Sequence, residues 1–438
     1  ILLMISVTMN RFLSISILLL SVVVALLINS LSTFEGGPHN GTRLIPKEAV
    51  PIWRTNELHW FVRFFIGYLF GVVAPVGTMT VCPTVVDWAN VAEAEAAQLC
   101  MKQGRRCADM DNLIDLNSLF DEEIISIDRP KGGDPMRVTL LKKQNSQNEA
   151  KAPLILYIHG GGFTVRGGKN TFAARMLTTL LKMDSENSPV MESATWAIVE
   201  YRLAPEHIYP AATEDCVLAL NHLVHKMGLG GGGIHIAGIS AGGTLAMETT
   251  LKSMAMVDTF YVDAPVVPFP TSDGSKEWSM NSPSLRRNSY TRMPPVTWLE
   301  WSLKSYTGME TVPDVEKDLI FGTISTSVDI TGGSMTVSEW IKRSKSTSLP
   351  RLILVTAKGD PLQDGGLAFK GVYDKVIEEV GAKNSKRNSN IKGEISRIKH
   401  FDTNSGHGGF YLFEPSVFQD VMKEWYSEMR SVWERKVV

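Results

Sequence analysis

An excess of charge of either sign is missing from this chain. Its 44 basic and 46 acidic residues leave a formal net charge of −2, and no long basic stripe appears. Nothing therefore draws in a polyanion, and no nucleic-acid partner is expected. Cysteine is scarce as well: four in 438 residues exclude a disulfide-built scaffold. Cys100 and Cys107 would stand roughly 10 Å apart on one continuous helix, too far to bridge. Gly104 between them leaves a bridge open but not expected. Cys216 lies in an apolar helical stretch and reads as core packing. No cluster of histidines and cysteines has metal-ligand spacing, so no metal is expected. No internal repeat is visible. What remains, 44% hydrophobic and 21% charged residues, is an ordinary globular composition with ample material for a core.

Long apolar runs are confined to the front. Phe12 to Ile28 carries no charge and follows Arg11. Its length is at the low end for a membrane span and long for the apolar part of a secretory leader. The favoured reading of residues 1–32 is a retained signal-anchor that attaches the chain to a membrane. Its positive flank would be cytosolic and the remainder luminal, as in the endoplasmic reticulum. The alternative is a cleaved leader, with Ser30-Leu31-Ser32 as a weak cleavage site and a secreted product. The sequence begins at Ile1; initiation at Met9 would leave Met9-Asn10-Arg11 as a compact positive segment. Asn40-Gly41-Thr42 is a glycosylation sequon on the luminal side. Residues 33–122 read as a linker followed by N-terminal cap helices. Within them, 58–81 form a second apolar tract, broken by Arg63, three glycines and Pro75. It reads as a buried or lipid-facing cap helix rather than a second span.

From residue 123 to 438 short apolar runs alternate with helical stretches. IISI, RVTLL, LILYI, TWAIVEY, IHIAG, FYVDAPVV, RLILVTA and EISRIKHF have the β-branched content and flanking turn signals of strands. Helices are expected over Glu214–Met227, Gly242–Ser253, Gly366–Val380 and Pro415 to about Glu434. Such alternation predicts an α/β fold, with a mainly parallel sheet covered on both faces and chemistry in the loops at the strands' C-terminal ends. Residues 268–346 break the rhythm and read as an insertion over the sheet. Residues 381–394 (GAKNSKRNSNIKGE) are polar and basic, the composition of a solvated loop.

The chemistry follows from residues at those strand ends. Gly238-Ile239-Ser240-Ala241-Gly242 joins an apolar strand to a helix, the sharp turn that exposes a nucleophilic serine in α/β-hydrolases. His159-Gly160-Gly161-Gly162 closes the LILYI strand. Consecutive glycines leave bare amides that can face a developing oxyanion, and the amide of Ala241 would complete the set. A phosphate cradle is the rival reading, but no Gly-Lys-Ser/Thr ending or G-x-G-x-x-G accompanies it. In this fold the order is serine, acid, histidine. Only His400 and His407 come late enough; His400 lies within a strand-like run, whereas His407 sits in the glycine-rich loop beyond it. For the acid, Asp360 follows RLILVTA directly and could fix the imidazole tautomer, while Asp364 reads as a helix N-cap. His159 precedes the serine and is read as shaping the glycine loop.

These motifs, in this order, resemble the hormone-sensitive-lipase-like serine esterases. The most specific stretch is Tyr201-Arg202-Leu203-Ala204-Pro205-Glu206-His207, continuing through Tyr209-Pro210-Ala211-Ala212 to Glu214-Asp215; SPSLRRNSY and DPLQDGG also fit. The resemblance runs from about residue 123 to the C-terminus. It implies an α/β-hydrolase fold, a Ser240-Asp360-His407 triad, and oxyanion amides from Gly161, Gly162 and Ala241. It also implies a cap built from the N-terminal segment and the insertion. The Tyr201–His207 segment is taken as structural, building a loop beside the nucleophile strand. With an anchored front end, the chain looks most like the arylacetamide-deacetylase and neutral-cholesterol-ester-hydrolase branch. The expected substrate is a small lipophilic ester, or an amide opened by the same machinery, with no cofactor. A ligand receptor on a retired esterase scaffold, which the gibberellin receptors resemble, is the reading of another class. Three departures from the family stand out: Ile239 where acidic residues are common, HGGF where HGF is usual, and residues 381–394, which lengthen the stretch between acid and base.

Overall fold

The computed structural model describes Leu116 and residues 119–144, 151–165, 171–184, 189–253, 256–267, 282–288, 296–308, 327–329, 334–336, 349–385 and 398–437. Both N-terminal apolar tracts, the Asn40 sequon, Cys100 and Cys107 lie outside these residues. Among the described residues no helix is long and apolar enough to cross a membrane.

Eight strands form one sheet: β1 (Phe120–Ile127), β2 (Met136–Lys143), β3 (Leu154–Ile158), β4 (Thr195–Glu200), β5 (Ile234–Ile239), β6 (Thr259–Asp263), β7 (Arg351–Gly359) and β8 (Ile398–Gly406). Their spatial order is β1-β2-β4-β3-β5-β6-β7-β8. β2 is antiparallel to both neighbours. Every later pairing, from β4 with β3 through to β7 with β8, is parallel. The main helices are α1 (Thr171–Leu181), α2 (Ala211–Asn221), α3 (Ala241–Lys252), α4 (Pro283–Asn288), α5 (Val296–Thr307), α6 (Gln363–Ser385) and α7 (Pro415–Val437).

β3 and β6 are buried along their whole length, as parallel strands covered on both faces should be. Alternation then sorts each strand onto two cores. Leu154, Leu156 and Ile158 join Leu245 of α3 and Ala219 of α2 on one face. Ile155 and Tyr157 join Met176 of α1 and Trp425 of α7 on the other. Cys216 is a fully buried free thiol in the first cluster, as its apolar surroundings suggested.

Three elements differ from their sequence expectation. β6 stops at Asp263 although its apolar run continues to Val267. Ala264 takes φ +46° there, and its N–H donates to the Val355 carbonyl, turning the chain out of the sheet. β8 runs on to Gly406, beyond the EISRIKHF run, with a register irregularity between Thr403 and Gly406. α6 begins at Gln363 and runs to Ser385, so the front of the polar 381–394 stretch is helical rather than loop. The insertion contributes α4, α5 and a small ribbon pairing Ser327–Asp329 with Ser334–Thr336.

α3 carries one residue that a core does not favour. Glu248 is buried, and among the described residues neither carboxyl oxygen has a hydrogen-bond partner. Desolvation pushes its pKa up to about 8, with Lys252 one turn on pulling weakly the other way. The unfolded chain titrates near the ordinary 4.5. Between these values the folded state holds a proton that the unfolded state has lost, so stability falls as pH rises through that window. Glu248→Gln removes this dependence. Urea midpoints measured from pH 5 to 9 should fall less steeply for the variant than for the wild type. The difference is on the order of a few kcal/mol by the ~1.4 kcal/mol per pKa unit of linkage. Identical slopes would place Glu248 in contact with water.

Candidate active site

Ser240 stands between the last residue of β5 and the first of α3 with φ +56° and ψ −125°. A β-carbon costs energy in that region of backbone space, and such strain collects at functional sites. The surroundings over-determine the turn. The Ser240 N–H donates to the Asp263 carbonyl at 2.8 Å. A β-carbon at Gly242 would lie 2.1 Å from the Ile158 carbonyl oxygen, and one at Gly238 the same distance from that of Gly242. Only bare glycine lets α3 approach β3 and β5 this closely. Ser240 is buried, with 8% of the residue exposed.

The glycine loop lies directly alongside. Gly161 and Gly162 take φ +108° and +57°, and Phe163 follows at +63°. Thr164 and Val165 both donate their N–H to the Gly161 carbonyl, tightening the turn. Among the described residues no backbone acceptor takes the amides of Gly161 or Gly162. The amide of Ala241, first in its helix, has no intrahelical partner either. These three amides are the donors expected to face an oxyanion. His159 shapes the loop, as its position suggested. Its ring stacks on Tyr201 with centroids 4.3 Å apart, and its Nδ1–H donates to the Gly160 carbonyl at 2.7 Å.

The Tyr201–His207 segment acts on this loop and not on the nucleophile strand, because β3 separates β4 from β5. Tyr201 donates its hydroxyl to the His159 carbonyl, and the Ala204 N–H donates to that of Phe163. On its outer side Phe163 stacks on Tyr306 of α5, ring centroids 3.8 Å apart. The insertion therefore leans on the glycine loop.

Strand register brings the acid and the histidine together. Gly406 of β8 pairs with Gly359 of β7, so the residues that follow each, His407 and Asp360, emerge side by side. His407 Nδ1 lies 2.9 Å from Asp360 Oδ2. A carboxylate only accepts, so Nδ1 carries the proton and Nε2 is left free to take one. Asp360 is fully buried, and its other oxygen accepts the Leu362 N–H at 2.8 Å. Burial alone would lower the His407 pKa. The charge and hydrogen bond of Asp360, with a further push from Asp263 once that group is ionised, outweigh it, and the imidazole is raised. The extra glycine of HGGF has a local cause. Gly408 takes φ +57°, and a β-carbon there would come within 3.1 Å of Ile239 Cδ1. Ile239, another departure, is the residue that packs against this turn.

The rejected candidates have structural partners. His400 lies within β8, its Nε2 2.8 Å from Thr356 Oγ1. Asp364 is not a helix N-cap, since α6 has already begun at Gln363. Its carboxylate accepts the Ser284 N–H of α4 at 2.6 Å. α4 holds the acid loop elsewhere too, through Asn288 Nδ2 to the carbonyls of Lys358 and Asp360. Among the described residues no group of His, Cys, Asp or Glu is arranged to hold a metal ion. Sequence reasoning missed Asp263, a buried acid at the end of β6 whose charge neighbours are His407 and Asp360. Its only signal was a lone carboxylate inside an apolar run.

A family model described as alpha/beta hydrolase fold matches residues 155–387, more than half of the chain. The chain belongs to the α/β-hydrolase family. Its relatives place it in the hormone-sensitive-lipase-like group expected from its motifs. It is 33% identical over 168 residues to the esterase LipI of Mycobacterium tuberculosis, covering 38% of this chain and 47% of that protein. It is 25% identical to the neutral cholesterol ester hydrolase 1 of Mus musculus, covering 57% of this chain and 68% of that one. To the hormone-sensitive lipase of Bos taurus it is 27% identical, covering 45% and 24%. The chain thus spans less than half of the mycobacterial esterase. Among solved structures, a thermostable esterase of Pseudomonas putida superposes with a TM-score of 0.54 at 19% identity, covering 76% of this chain and 90% of that one. At that identity the likeness shows the fold alone.

Proposed function

We propose that this α/β-hydrolase is a serine carboxylic-ester hydrolase working through Ser240, His407 and Asp360. The observation that carries the reading is the 2.9 Å contact of His407 Nδ1 with Asp360 Oδ2 at the same strand-end rim as the strained Ser240 turn. His407 Nε2 takes the Ser240 proton as Oγ attacks the ester carbonyl carbon. The oxyanion that forms is held by the amides of Gly161, Gly162 and Ala241. His407 then gives its proton to the leaving alkoxide oxygen, and the alcohol departs from the acyl-enzyme. Water repeats the sequence, losing a proton to His407, and the acid leaves as Ser240 recovers its hydrogen. Asp360 keeps its negative charge throughout and stabilises the imidazolium.

The test is covalent labelling with a fluorophosphonate, followed by turnover of p-nitrophenyl esters of increasing chain length and one aryl amide. Labelling at one site, Ser240, with ester turnover is the expected result. A chain that neither labels nor hydrolyses any ester is not this enzyme and leaves only the receptor role. Rates rising with acyl length support lipophilic substrates; preference for short acyl groups argues against them. The base must be neutral to act, and its pKa is raised from 6.5. The acid limb of kcat/KM should therefore have its midpoint above 6.5, a pH profile that a midpoint below that value would contradict.

The uncharged run Phe12–Ile28 supports attachment to a membrane with the hydrolase domain on the luminal side. Retention of the full chain in the membrane pellet after carbonate extraction is the expected result; release into the supernatant would refute it.

A further inference from the structure

We infer that Asp263 is a second positioning carboxyl for His407, one that supports the imidazole beside Asp360 and sustains part of the turnover when Asp360 is removed. The inference rests on the triad reading above and deepens it.

Four observations converge on this aspartate. It is the last residue of β6 and pairs in register with Ile239, the residue before the nucleophile, on one side. On the other side it pairs with Val355 of β7. Its carbonyl accepts the Ser240 N–H, so its backbone is fixed to the nucleophile turn. Alternation puts its side chain on the same sheet face as Tyr261, within the cluster that includes Val355 and Phe410. Phe410 ends the turn that begins at His407, and Ile239 packs against this same cluster and reaches Gly408. The carboxyl thus lies on the face over which the base turn folds.

One oxygen of the carboxyl is also unspent. Asp263 is 2% exposed, and among the described residues its Oδ2 has no hydrogen-bond partner. Burying a carboxyl oxygen without a partner is unfavourable, and a position serving only to fill space would be better occupied by an apolar side chain. The titratable groups facing it are His407 from the β8 turn, Asp360 from the β7 loop and Tyr261 from its own strand. Desolvation pushes it up to about 8, the His407 charge opposes this, and the Asp360 charge adds to it. At neutral pH it therefore holds its proton, which avoids two adjacent buried carboxylates. When His407 gains the Ser240 proton, the new positive charge favours ionisation of Asp263. With Asp360 replaced by a neutral group, the like charge that kept Asp263 protonated is gone. Asp263 then becomes the one carboxylate able to stabilise the imidazolium. Its proposed action is through His407, which makes it a positioning residue.

Three full-length variants decide it: Asp360→Asn, Asp263→Asn, and the two combined, each followed by kcat and KM of a p-nitrophenyl ester from pH 5 to 10. Asp360→Asn should lose about 10³–10⁴ in kcat yet keep a residual rate that climbs as Asp263 ionises. The double variant should lose that climb and fall at least roughly tenfold further at pH 9. Asp263→Asn alone should lower kcat several-fold, most of all above pH 8 where Asp263 is ionised, and leave KM in place. Residual profiles of Asp360→Asn and the double variant that superimpose would overturn the role of Asp263 while leaving the triad intact. Melting curves of all three separate this from misfolding; if Asp263→Asn is poorly folded, the pH profile of Asp360→Asn alone still decides, since a flat residual rate overturns the inference. Undiminished turnover by Asp360→Asn would instead break the triad reading itself.

Discussion

Ser240→Ala should lower kcat for any ester substrate by roughly four to six orders of magnitude, the largest effect of any single change in this chain. Loss of one oxygen atom removes the bond-forming group, and neither imidazole nor amides can replace it. What persists is the contribution of the oxyanion amides and of binding, about 10³–10⁴ over the reaction in water for sites of this type. The fold should be untouched. The φ of +56° at this position strains alanine as it strains serine, so the substitution neither relieves nor adds backbone cost. The hydrogen bond from the residue 240 N–H to Asp263 is a main-chain interaction and survives. The measurement is burst and steady-state turnover of a p-nitrophenyl ester alongside a melting curve. Ordinary turnover by a folded Ser240→Ala protein would remove Ser240 from the chemistry. Loss of turnover together with a collapse in melting temperature would leave the serine's chemical role undecided, and fluorophosphonate labelling of the wild type would then settle it.

The residues of this site differ in how far sequence alone reveals them, for a physical reason. Ser240, the Gly160–Gly162 run and Asp360 each sit immediately after an apolar strand. Their place at the rim is therefore written within a dozen neighbouring residues: a strand, a turn, then the group that follows it. His407 needed one further step, the order of elements in the fold. Strand pairing of Gly406 with Gly359 then accounts for its position against Asp360. Asp364 was misread as a cap because local pattern favours a cap after a turn. Its partner, Ser284, lies 80 residues away and has no local signature. Asp263 was overlooked for a similar reason. Within FYVDAPVV it reads as one polar residue in a long strand, and only the left-handed Ala264 reveals that the strand ends there. Groups defined by a single segment were legible; groups defined by contacts between segments were not.

Asp215 belongs to both kinds, and its replacement should give the largest loss of stability. It lies in the Tyr201–Asp215 stretch that marks the family, yet sequence offers no partner for it. In the fold it is a buried hub. Its carboxylate accepts from Arg129 Nε and Nη2, each at 3.0 Å, and from the Arg202 backbone N–H at 2.8 Å. Arg202 Nε adds a contact at 3.0 Å. Three segments meet there: the turn after β1, the end of β4, and the first turns of α2. Asp215→Ala takes the shared carboxylate from two guanidinium groups and the acceptor from one amide, leaving Arg202 the Ala211 carbonyl and Glu214, and Arg129 the Asp134 carbonyl. A fully buried pair broken on one side costs about 3–5 kcal/mol. The Arg129 and Arg202 side chains keep 11% and 23% of their exposure, so water recovers part of that. A loss of about 3 kcal/mol in urea unfolding is the expected result. Asp215→Asn keeps an acceptor for the Arg202 amide but no charge, and should lose roughly half as much. Because Tyr201 and Ala204 brace the glycine loop from this same segment, loosening it should also reach the oxyanion amides. Turnover by folded Asp215→Ala is then expected to fall roughly tenfold, as small misplacements at a reacting centre do. A loss under about 1 kcal/mol for the alanine variant would mean that the two arginines find other partners, and the family segment would need another reason for its form.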